Sequence, residues 1–577
     1  MKIAKFIPAL DWMPKYNGTQ LKGDLSAGLT VGVMLIPQGM AYAMIAGLPP
    51  IYGLYASTIP LIIYALLGTS RQLAVGPVAM VSLLTAAGIG ALADGGTETY
   101  IMLAITLALF VGLIQFLLGA FRLGFLVNFL SHPVISGFTS AAALIIGLSQ
   151  LKHLLGIKIE SSHYVHEVLI EAVSKFGQIN WVTFAIGLGG IMLIMGIKRY
   201  FKAIPGQLLA VIFGILAVWG FGLTEQGVKI VGEVPKGLPS LSLPSFNMDT
   251  IQSLIPVALA ISLVSFMESI AVAKAIQARH KNYKVEPNQE LMALGLANIG
   301  GSLLQSYPVT GGFSRTAVND QAGAKTGMAA IISAILIVLT LLFLTPLFYY
   351  LPNAILASVI MVAVFGLIDI KEAVHLWHAD RSDFWMLIVT FIGTLALGIE
   401  QGIGIGVVLS LAVIIFQTSR PHMAELGKVP GTAFYRNVGR FKQLERRPDL
   451  LIVRFDAQLY FANINFFRDR IDELIQEKGA GLKALILNFD SINNMDSSGV
   501  HALEELFTDS RNRKLNVYLT GVKGPVRDAM VKGHLIDKIG EDNMFMSVQE
   551  AVDWHDAQIV EQPEPKFHEF TLQTNAE

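Results

Sequence analysis

Two ionisable side chains stand within long apolar stretches of this sequence. Glu268 is the one carboxylate between Leu254 and Val272, and Arg315 directly follows the segment Gly311-Gly312-Phe313-Ser314. At bilayer depth an arginine costs about 2.5–3.5 kcal/mol on insertion scales, so it persists where it is paired, hydrated or functional. These residue types predict a site at which Arg315 binds an anion and Glu268 exchanges a proton.

Opposing electrostatic effects on Glu268 support this role. Burial disfavours the charged carboxylate, whereas a nearby Arg315 favours it, so the proton can bind or leave as an anion competes for Arg315. Ser262, Ser265 and Ser269 share the helical face of Glu268 and form a polar stripe. Two structural alternatives stay open: a permanent Glu268–Arg315 ion pair that locks two parts of the protein together, or an arginine that only braces backbone carbonyls.

Glycine-containing breaks precede two of the apolar stretches, at Val75-Gly76-Pro77 and at Thr310-Gly311-Gly312. A helix that begins inside the membrane leaves up to four N–H groups unbonded and carries about half a positive charge at that end. Two such helix ends that face each other would bind a small anion largely through backbone groups. The residues expected to line this site are Val78, Ala79, Met80, Phe313, Ser314 and Arg315.

Gln38 and Tyr42 lie four residues apart on the first apolar stretch and therefore share one helical face. They offer hydrogen-bond donors without charge, so we predict that they also contact the anion. The alternative is a hydrogen bond that only packs two helices together.

Composition indicates that membrane helices position these residues. The chain of 577 residues is 53% hydrophobic and 15% charged, with a mean hydropathy of +0.56, which is more apolar surface than a soluble core requires. Several of its apolar runs, notably the third and tenth, are shorter than the ~20 residues of a straight span. Because these two are seven apart, we predict a seven-plus-seven inverted repeat whose site lies where the broken helices meet. The fourteen runs are 25–45, 51–67, 75–93, 100–120, 126–148, 180–198, 205–223, 251–273, 289–306, 312–322, 328–349, 353–369, 383–399 and 403–418.

A short internal similarity agrees with such a repeat. Aligning residues 37–43 with residues 267–273 pairs Gln38 with Glu268 and two alanines with two alanines. Chance similarity between helices rich in small residues explains the match equally well.

The distribution of lysine and arginine predicts the orientation. The asymmetry between alternate loops places both termini in the cytoplasm, so we expect an integral protein of the cell (inner) membrane. The N-terminus lacks the pattern of a cleavable signal peptide. Charged residues become dense after about residue 420, which predicts a membrane domain over 1–425, a soluble domain over 432–555 and a disordered tail over 556–577.

The soluble segment shows short β-runs that alternate with helices. Strands are predicted at 450–455, 484–487 and 516–519, with helices near 464–476 and from Ser498. This pattern is typical of an α/β domain with a mostly buried sheet. Asp496 or a neighbouring serine is expected to cap the second of these helices.

Ordered motifs run along the membrane part: DLSAGLT at 24–30, IPQGMAYA at 36–43, AGLPPIYGLY at 46–55, VGPVA at 75–79, SHPVISGF at 131–138, NQEL at 288–291 and GGFSRT at 311–316. They resemble the SulP sulfate-permease family, called solute-carrier family 26 in animals. The resemblance extends from about residue 10 to 555. It implies a homodimer of fourteen-span subunits, in each of which a mobile core domain moves against a gate domain like an elevator.

The resemblance also implies site residues. The family's anion site lies between the half-helices of the third and tenth spans, and its matched positions here are Gln38, Tyr42, Ser314 and Arg315. The family's acid on the eighth span falls on Glu268, and a glutamate there accompanies proton-coupled symport. Some sodium-coupled bicarbonate relatives carry aspartate and lack this arginine, so the proton is the expected coupling ion and sodium the less favoured one. No other cofactor and no metal is implied.

The run Asn494-Met495-Asp496-Ser497-Ser498-Gly499 resembles the conserved turn of STAS domains. In soluble relatives the serine after the aspartate is phosphorylated, which makes Ser497 a candidate phosphosite, with helix capping as the alternative. A cytoplasmic partner at this domain is also implied.

These observations predict a secondary active transporter of small anions in the lipid bilayer, with sulfate as the expected substrate. Bicarbonate and C4-dicarboxylates are alternatives, and a membrane-bound STAS sensor or scaffold is an alternative of another class. A nucleobase carrier fits poorly, since an uncharged substrate does not require Arg315. A net charge of −1 argues against a nucleic-acid partner, and no nucleophile triad, metal cluster or phosphate loop suggests an enzyme.

Overall fold

The computed structural model describes residues 6–90, 92–93, 95–125, 131–159, 165–201, 205–244, 248–280, 283–366 and 368–559. The chain forms two compact units, Met1–Ser410 and Leu411–Glu577. Most of the predicted tail, residues 560–577, lies outside the described residues. The prediction of a tail from 556 is wrong for its first residues, because they continue the helix Val548–Ile559.

Helices coincide with each of the fourteen predicted spans, which are numbered here in chain order. Spans 1 to 7 are Gly18–Ile45, Ile51–Tyr55 with Ile59–Leu67, Ala79–Gly90, Glu98–Ala120, His132–Ser149, Trp181–Tyr200 and Gly206–Gly220. Spans 8 to 14 are Met248–His280, Pro287–Ser302, Phe313–Gln321, Met328–Leu339, Asn353–Phe365, Arg381–Leu397 and Ile399–Ser419. Shorter helices lie at Ala9–Trp12, Leu151–Leu155, Val165–Ser174 and Ile370–Ala379.

Span lengths explain where the fold is interrupted. In the described part of the chain, seven helices are individually long and apolar enough to cross a membrane. Span 3 has only 12 residues and span 10 only 9, so each reaches partway across a hydrocarbon core that needs about 20. These two are called half-helix 3 (Ala79–Gly90) and half-helix 10 (Phe313–Gln321). The chain is an integral membrane protein with the predicted fourteen-span arrangement.

Most helix packing in the membrane unit falls within two sets. Spans 1 to 4 pack with spans 8 to 11, and spans 5 to 7 pack with spans 12 and 13. Small residues permit the close approach inside the first set: a methyl group added at Gly112 of span 4 would lie 2.7 Å from the carbonyl oxygen of Gly295 in span 9. Packing of this kind holds membrane helices together by van der Waals contact.

Two short strands pair at the centre of the membrane unit. Strand β1 (Val75–Gly76) runs antiparallel to strand β2 (Thr310–Gly311). Half-helix 3 begins shortly after β1 and half-helix 10 shortly after β2, at corresponding positions of the two halves of the chain. Because the strands are antiparallel, the half-helices leave their meeting point in opposite directions, as an inverted repeat requires.

The C-terminal unit contains a six-stranded sheet in the order β4-β3-β5-β6-β7-β8. The last four of these run parallel and β3 is antiparallel to both its neighbours. The strands are β3 Met423–Lys428, β4 Tyr435–Asn437, β5 Leu450–Phe455, β6 Ala484–Asn488, β7 Asn516–Thr520 and β8 Met544–Phe545. The helices are Ile464–Lys478, Ser497–Asn512, Gly524–Lys532, Leu535–Ile539 and Val548–Ile559.

Alternate residues of the central strands enter two different cores. In β5, Leu451 and Val453 pack with the helices Ile464–Lys478 and Ser497–Asn512, whereas Leu450 and Ile452 pack under Val548–Ile559. Both faces of the sheet are therefore covered, which is why these strands read as continuous apolar runs. Strand β3 (Met423–Lys428) begins before residue 432, where the sequence predicted the soluble domain to start. The sequence did not indicate this strand, because charged residues interrupt its apolar pattern.

Candidate functional site

The N-termini of the two half-helices meet beside the β1–β2 pair and carry amides without helical partners. In half-helix 3, the first intrahelical bond joins Ser82 N–H to Val78 O at 2.9 Å, and in half-helix 10 it joins Thr316 N–H to Gly312 O at 3.0 Å. Such leading amides give the end of a helix its positive potential. The leading amides belong to Ala79, Met80 and Val81 in one helix and to Phe313, Ser314 and Arg315 in the other.

The guanidinium of Arg315 lies between these two helix ends. Its side chain is 2% exposed, and Nη1 donates a hydrogen bond to the carbonyl oxygen of Pro77, at the start of half-helix 3. The buried Nε and Nη2 atoms have no hydrogen-bond partner in the described part of the chain. One donor therefore braces the backbone, and the other two nitrogens are available to an anion.

Glycines make room for this guanidinium. A Cβ atom at Gly76 would lie 3.4 Å from Arg315 Nη2, and one at Gly312 would lie 3.2 Å from the same atom. Gly76 also has a φ of +151°, a conformation that side-chain-bearing residues rarely adopt. The glycines at the two breaks recognised in the sequence therefore permit the backbone conformation at the end of β1 and leave space for the guanidinium.

Span 8 and span 1 bring Glu268 and Tyr42 near the guanidinium of Arg315. The guanidinium interacts electrostatically with Glu268 and with the buried hydroxyl group of Tyr42. Glu268 is half-buried, and no ion pair joins it to Arg315 among the residues that the structure describes. The permanent ion pair left open by the sequence is therefore not formed in this conformation.

The other predicted contacts fall into buried and accessible groups. Gln38 is 2% exposed, and its Oε1 atom has no hydrogen-bond partner among the residues that the structure describes. Val78 and the first residues of half-helix 3 are also buried. Phe313 is 49% exposed and Ser314 is exposed, which places these two on the accessible side of the half-helix start.

Two serines of the span 8 stripe, Ser265 and Ser269, hold β2 in place. Thr310 Oγ1 donates to Ser265 O at 2.7 Å, so the hydroxyl of Ser269 donates to Thr310 Oγ1 at 2.7 Å. Ser269 Oγ in turn accepts the N–H of Gly311 at 2.9 Å. These serines position the backbone that leads into half-helix 10.

Two further buried residues that the sequence analysis did not single out position the site. Asn298 of span 9 accepts the N–H of Val309 at 2.8 Å and donates to its carbonyl oxygen at 3.1 Å, which fixes the approach to β2. Glu290 accepts hydrogen bonds from Tyr64 Oη at 2.6 Å and from the Thr69 N–H at 2.6 Å, which fixes the loop that leads to β1. Their polarity within a helix of small and apolar residues was the available signal.

Tyr307 was also missed. It lies between Ser306 and Pro308, three residues before β2, and its side chain is fully buried beside Ser82 of half-helix 3. A polar aromatic residue next to a proline at a helix break was the sequence signal for it.

In the C-terminal unit, Asp496 caps the helix Ser497–Asn512 by accepting the N–H of Gly499 at 2.9 Å. Its second oxygen accepts the N–H of Phe461 at 3.0 Å. The capping prediction is confirmed for the aspartate. Ser497, the candidate phosphosite, is exposed at the first position of the helix.

Comparison with family models supports both units. A model described as sulfate permease family matches residues 21–390, and a STAS domain model matches residues 441–551. Together these segments include both half-helices and the capped turn at Asp496.

Similar sequences occur among plant transporters. The chain is 39% identical over 568 residues to chloroplastic sulfate transporter 4.1 of Arabidopsis thaliana, an alignment that covers 95% of this chain and 82% of the relative. It is 37% identical over 568 residues to high affinity sulfate transporter 2 of Stylosanthes hamata, covering 94% of this chain and 85% of the relative.

Solved structures share the fold. The murine Solute Carrier 26 family member A9 anion transporter, in the inward-facing state, matches with a TM-score of 0.89 at 26% identity, covering 96% of this chain and 94% of that one. The transmembrane domain of the cyanobacterium bicarbonate transporter BicA matches with a TM-score of 0.60 at 23% identity, covering 69% of this chain and 98% of that one. The second likeness concerns the fold alone.

Proposed function

Because the chain belongs to the sulfate permease family, we propose that it is a secondary active transporter of small anions and that sulfate is its substrate. One observation carries the proposal: a buried guanidinium with two unpartnered nitrogens lies between two helix N-termini. A buried charge in this setting is costly unless a ligand of opposite charge completes its interactions. The sulfate transporters among its relatives support the choice of anion.

Uptake by proteoliposomes tests this function. Labelled sulfate, bicarbonate and succinate would each be offered with and without an inward proton gradient, and sulfate is expected to accumulate. Arg315→Ala is expected to abolish uptake, because it removes the positive charge of the site. Arg381→Ala is the matched control, since Arg381 stacks on Trp377 at the start of span 13 and takes no part in the half-helix site.

The same experiment separates the alternatives. Accumulation of bicarbonate or succinate in place of sulfate would change the substrate and keep the transporter. If Arg315→Ala abolished uptake while the biological activity stayed intact, a membrane-bound sensor or scaffold working through the C-terminal unit would be favoured instead.

We further propose that Glu268 couples transport to protons. Residue Glu268 is half-buried and interacts electrostatically with Arg315, and no ion pair holds it within the part of the chain that the structure describes. An anion that binds Arg315 therefore changes the tendency of Glu268 to carry a proton. Glu268→Gln keeps the shape and removes the titration. This variant is expected to lose the dependence of uptake on the proton gradient while it still binds sulfate. Wild-type proton-driven accumulation in this variant would refute the coupling role.

The mode of movement proposed is an elevator. Spans 1 to 4 and 8 to 11 would form the mobile core domain, and spans 5 to 7 with 12 to 14 the gate domain. The packing of helices within two sets supports this division, and the entire anion site belongs to the first set. We also propose a homodimer in the cell membrane with cytoplasmic termini. Cross-linking of introduced cysteines between the two sets would test the relative movement.

Regulation through the C-terminal unit is a separate proposal. Asp496 already caps the helix, so the exposed hydroxyl of Ser497 is not required for capping and can accept a phosphoryl group or meet a cytoplasmic partner. Mass spectrometry of protein purified from its native host would detect phosphorylation at Ser497, and an unmodified Ser497 under all growth conditions would speak against it.

A further inference from the structure

Ser82 and Tyr307 form a buried hydroxyl pair beside the two half-helix starts. Ser82 lies in the first turns of half-helix 3, and Tyr307 lies three residues before β2. The Ser82 Oγ and Tyr307 Oη atoms are 3.2 Å apart, and both side chains are fully buried. The pair therefore links half-helix 3 to the backbone segment that leads into β2 and half-helix 10.

The pair has one more hydroxyl hydrogen than the bond between its two oxygens uses. Two hydroxyl groups carry two hydrogens, and the bond between them uses one, whichever oxygen is the donor. Within the described residues, neither hydroxyl hydrogen has another acceptor. Buried donors are almost always satisfied in proteins, so one that is left over points to a ligand that accepts it.

Tyr307 lies near enough to the guanidinium of Arg315 to interact with it electrostatically. Arg315 interacts electrostatically with Tyr307 as well as with Tyr42 and Glu268, and Tyr307 interacts with Tyr42 in turn. The unused nitrogens Nε and Nη2 of Arg315 and the unused hydroxyl hydrogen thus belong to one group of side chains. All of them are donors, and an anion accepts from each.

We propose that Tyr307 binds the transported anion directly and selects anions that have several oxygen atoms. In the anion-free protein the hydroxyl of Tyr307 donates to Ser82. When the anion arrives, Ser82 donates to Tyr307 Oη, and the Tyr307 hydroxyl donates to one oxygen of the anion while Arg315 binds another. Each bond polarises the next, so the chain strengthens the final one.

This inference rests on the proposed function and extends it to substrate class. A sulfate ion presents separate oxygens to the guanidinium and to the phenol, whereas a halide has a single atom for both. Ser82 is a positioning residue in this scheme, since it acts through Tyr307.

Kinetics of labelled sulfate uptake in proteoliposomes test the role. Tyr307→Phe keeps the ring and removes only the hydroxyl, so the KM for sulfate is expected to rise about tenfold or more with Vmax changed little. Ser82→Ala is expected to raise KM less, because the tyrosine hydroxyl can still reach the anion. Tyr100→Phe is the control: it removes another buried hydroxyl, which donates to Ala46 O at 2.7 Å in the same unit, and it should keep the wild-type KM.

The outcomes are distinct. Equal KM values in wild type and Tyr307→Phe would overturn the inference and leave the proposed transport of sulfate standing. So would a KM increase of the same size in Tyr307→Phe and Tyr100→Phe, because that would reflect packing. If Tyr307→Phe folded poorly, an unchanged KM in Ser82→Ala would overturn it. A wild-type protein that takes up no anion would overturn the proposed function, and this inference with it.

Discussion

Removing the hydroxyl of Ser269 should disturb the anion site without touching any residue proposed to bind the anion. Ser269→Ala leaves the buried N–H of Gly311 without its acceptor at 2.9 Å and deletes the 2.7 Å bond to Thr310. An unsatisfied buried donor costs about 1–3 kcal/mol and a lost neutral hydrogen bond about 0.5–1.5 kcal/mol. We therefore expect the free energy of unfolding to fall by about 2–4 kcal/mol. We also expect β2 to shift so that the N–H of Gly311 can find another acceptor.

The assay combines thermal stability in detergent with sulfate uptake in proteoliposomes. A shift of β2 moves the start of half-helix 10, which carries Arg315, so the KM for sulfate should rise along with the loss of stability. Ser333→Ala is the matched control, because its hydroxyl donates to the carbonyl oxygens of Gly28 and Ala329 and its removal leaves no buried N–H unpaired. If Ser269→Ala matched Ser333→Ala in both stability and KM, the positioning role of the span 8 serines would be wrong.

Two further predictions concern glycine and pH. Gly76→Ala should reduce sulfate uptake more than Gly312→Ala, because both methyl groups approach Arg315 but only Gly76 also has a positive φ; equal effects would contradict this reasoning. In the C-terminal unit, the hydrogen-bonded guanidinium of Arg447 holds the pKa of Asp449 below its ordinary value of 3.8. The pair therefore stabilises the fold above pH 3.8, and this stabilisation is lost as the pH falls through the depressed pKa. Asp449→Asn should lower the opening free energy of β5, measured by hydrogen exchange, by at most about 1 kcal/mol at pH 7, because the pair is partly exposed. The difference should vanish once the pH lies below the depressed pKa of Asp449, and a difference that persisted there would contradict the assignment.

The sequence predicted the features that depend on local composition. The fourteen spans follow from separate runs of apolar residues, and the two half-helices follow from the short length of their runs and from glycine and proline at their starts. The capped turn at Asp496 follows from the residue types at a strand-to-helix junction. Each of these depends on neighbours in the chain, so a single sequence is enough to find them.

Features that depend on distant partners could not be predicted in this way. Strand β2 is held by Ser269, by Asn298 and by its pairing with β1, residues that are separated by many positions in the chain. The sequence showed that the serine stripe is polar. Its hydrogen bonds to the backbone of β2 became apparent only from the structure. The edge strands β4 and β8 have three and two residues, too few to show a pattern.

The geometry of Arg315 bears on whether this residue is a structural brace or a ligand. An arginine that only braces the backbone would be expected to donate each of its hydrogen bonds to a carbonyl oxygen, since each unpaired buried donor costs free energy. Instead one nitrogen bonds Pro77 O, while Nε and Nη2 stay buried and unpartnered next to Gly76 and Gly312. A Cβ atom would lie 3.4 Å from Nη2 at Gly76 and 3.2 Å from it at Gly312, so both glycines give room to the guanidinium itself. Bracing therefore accounts for one nitrogen, whereas an anion held between the helix ends, as proposed above, would also account for the other two.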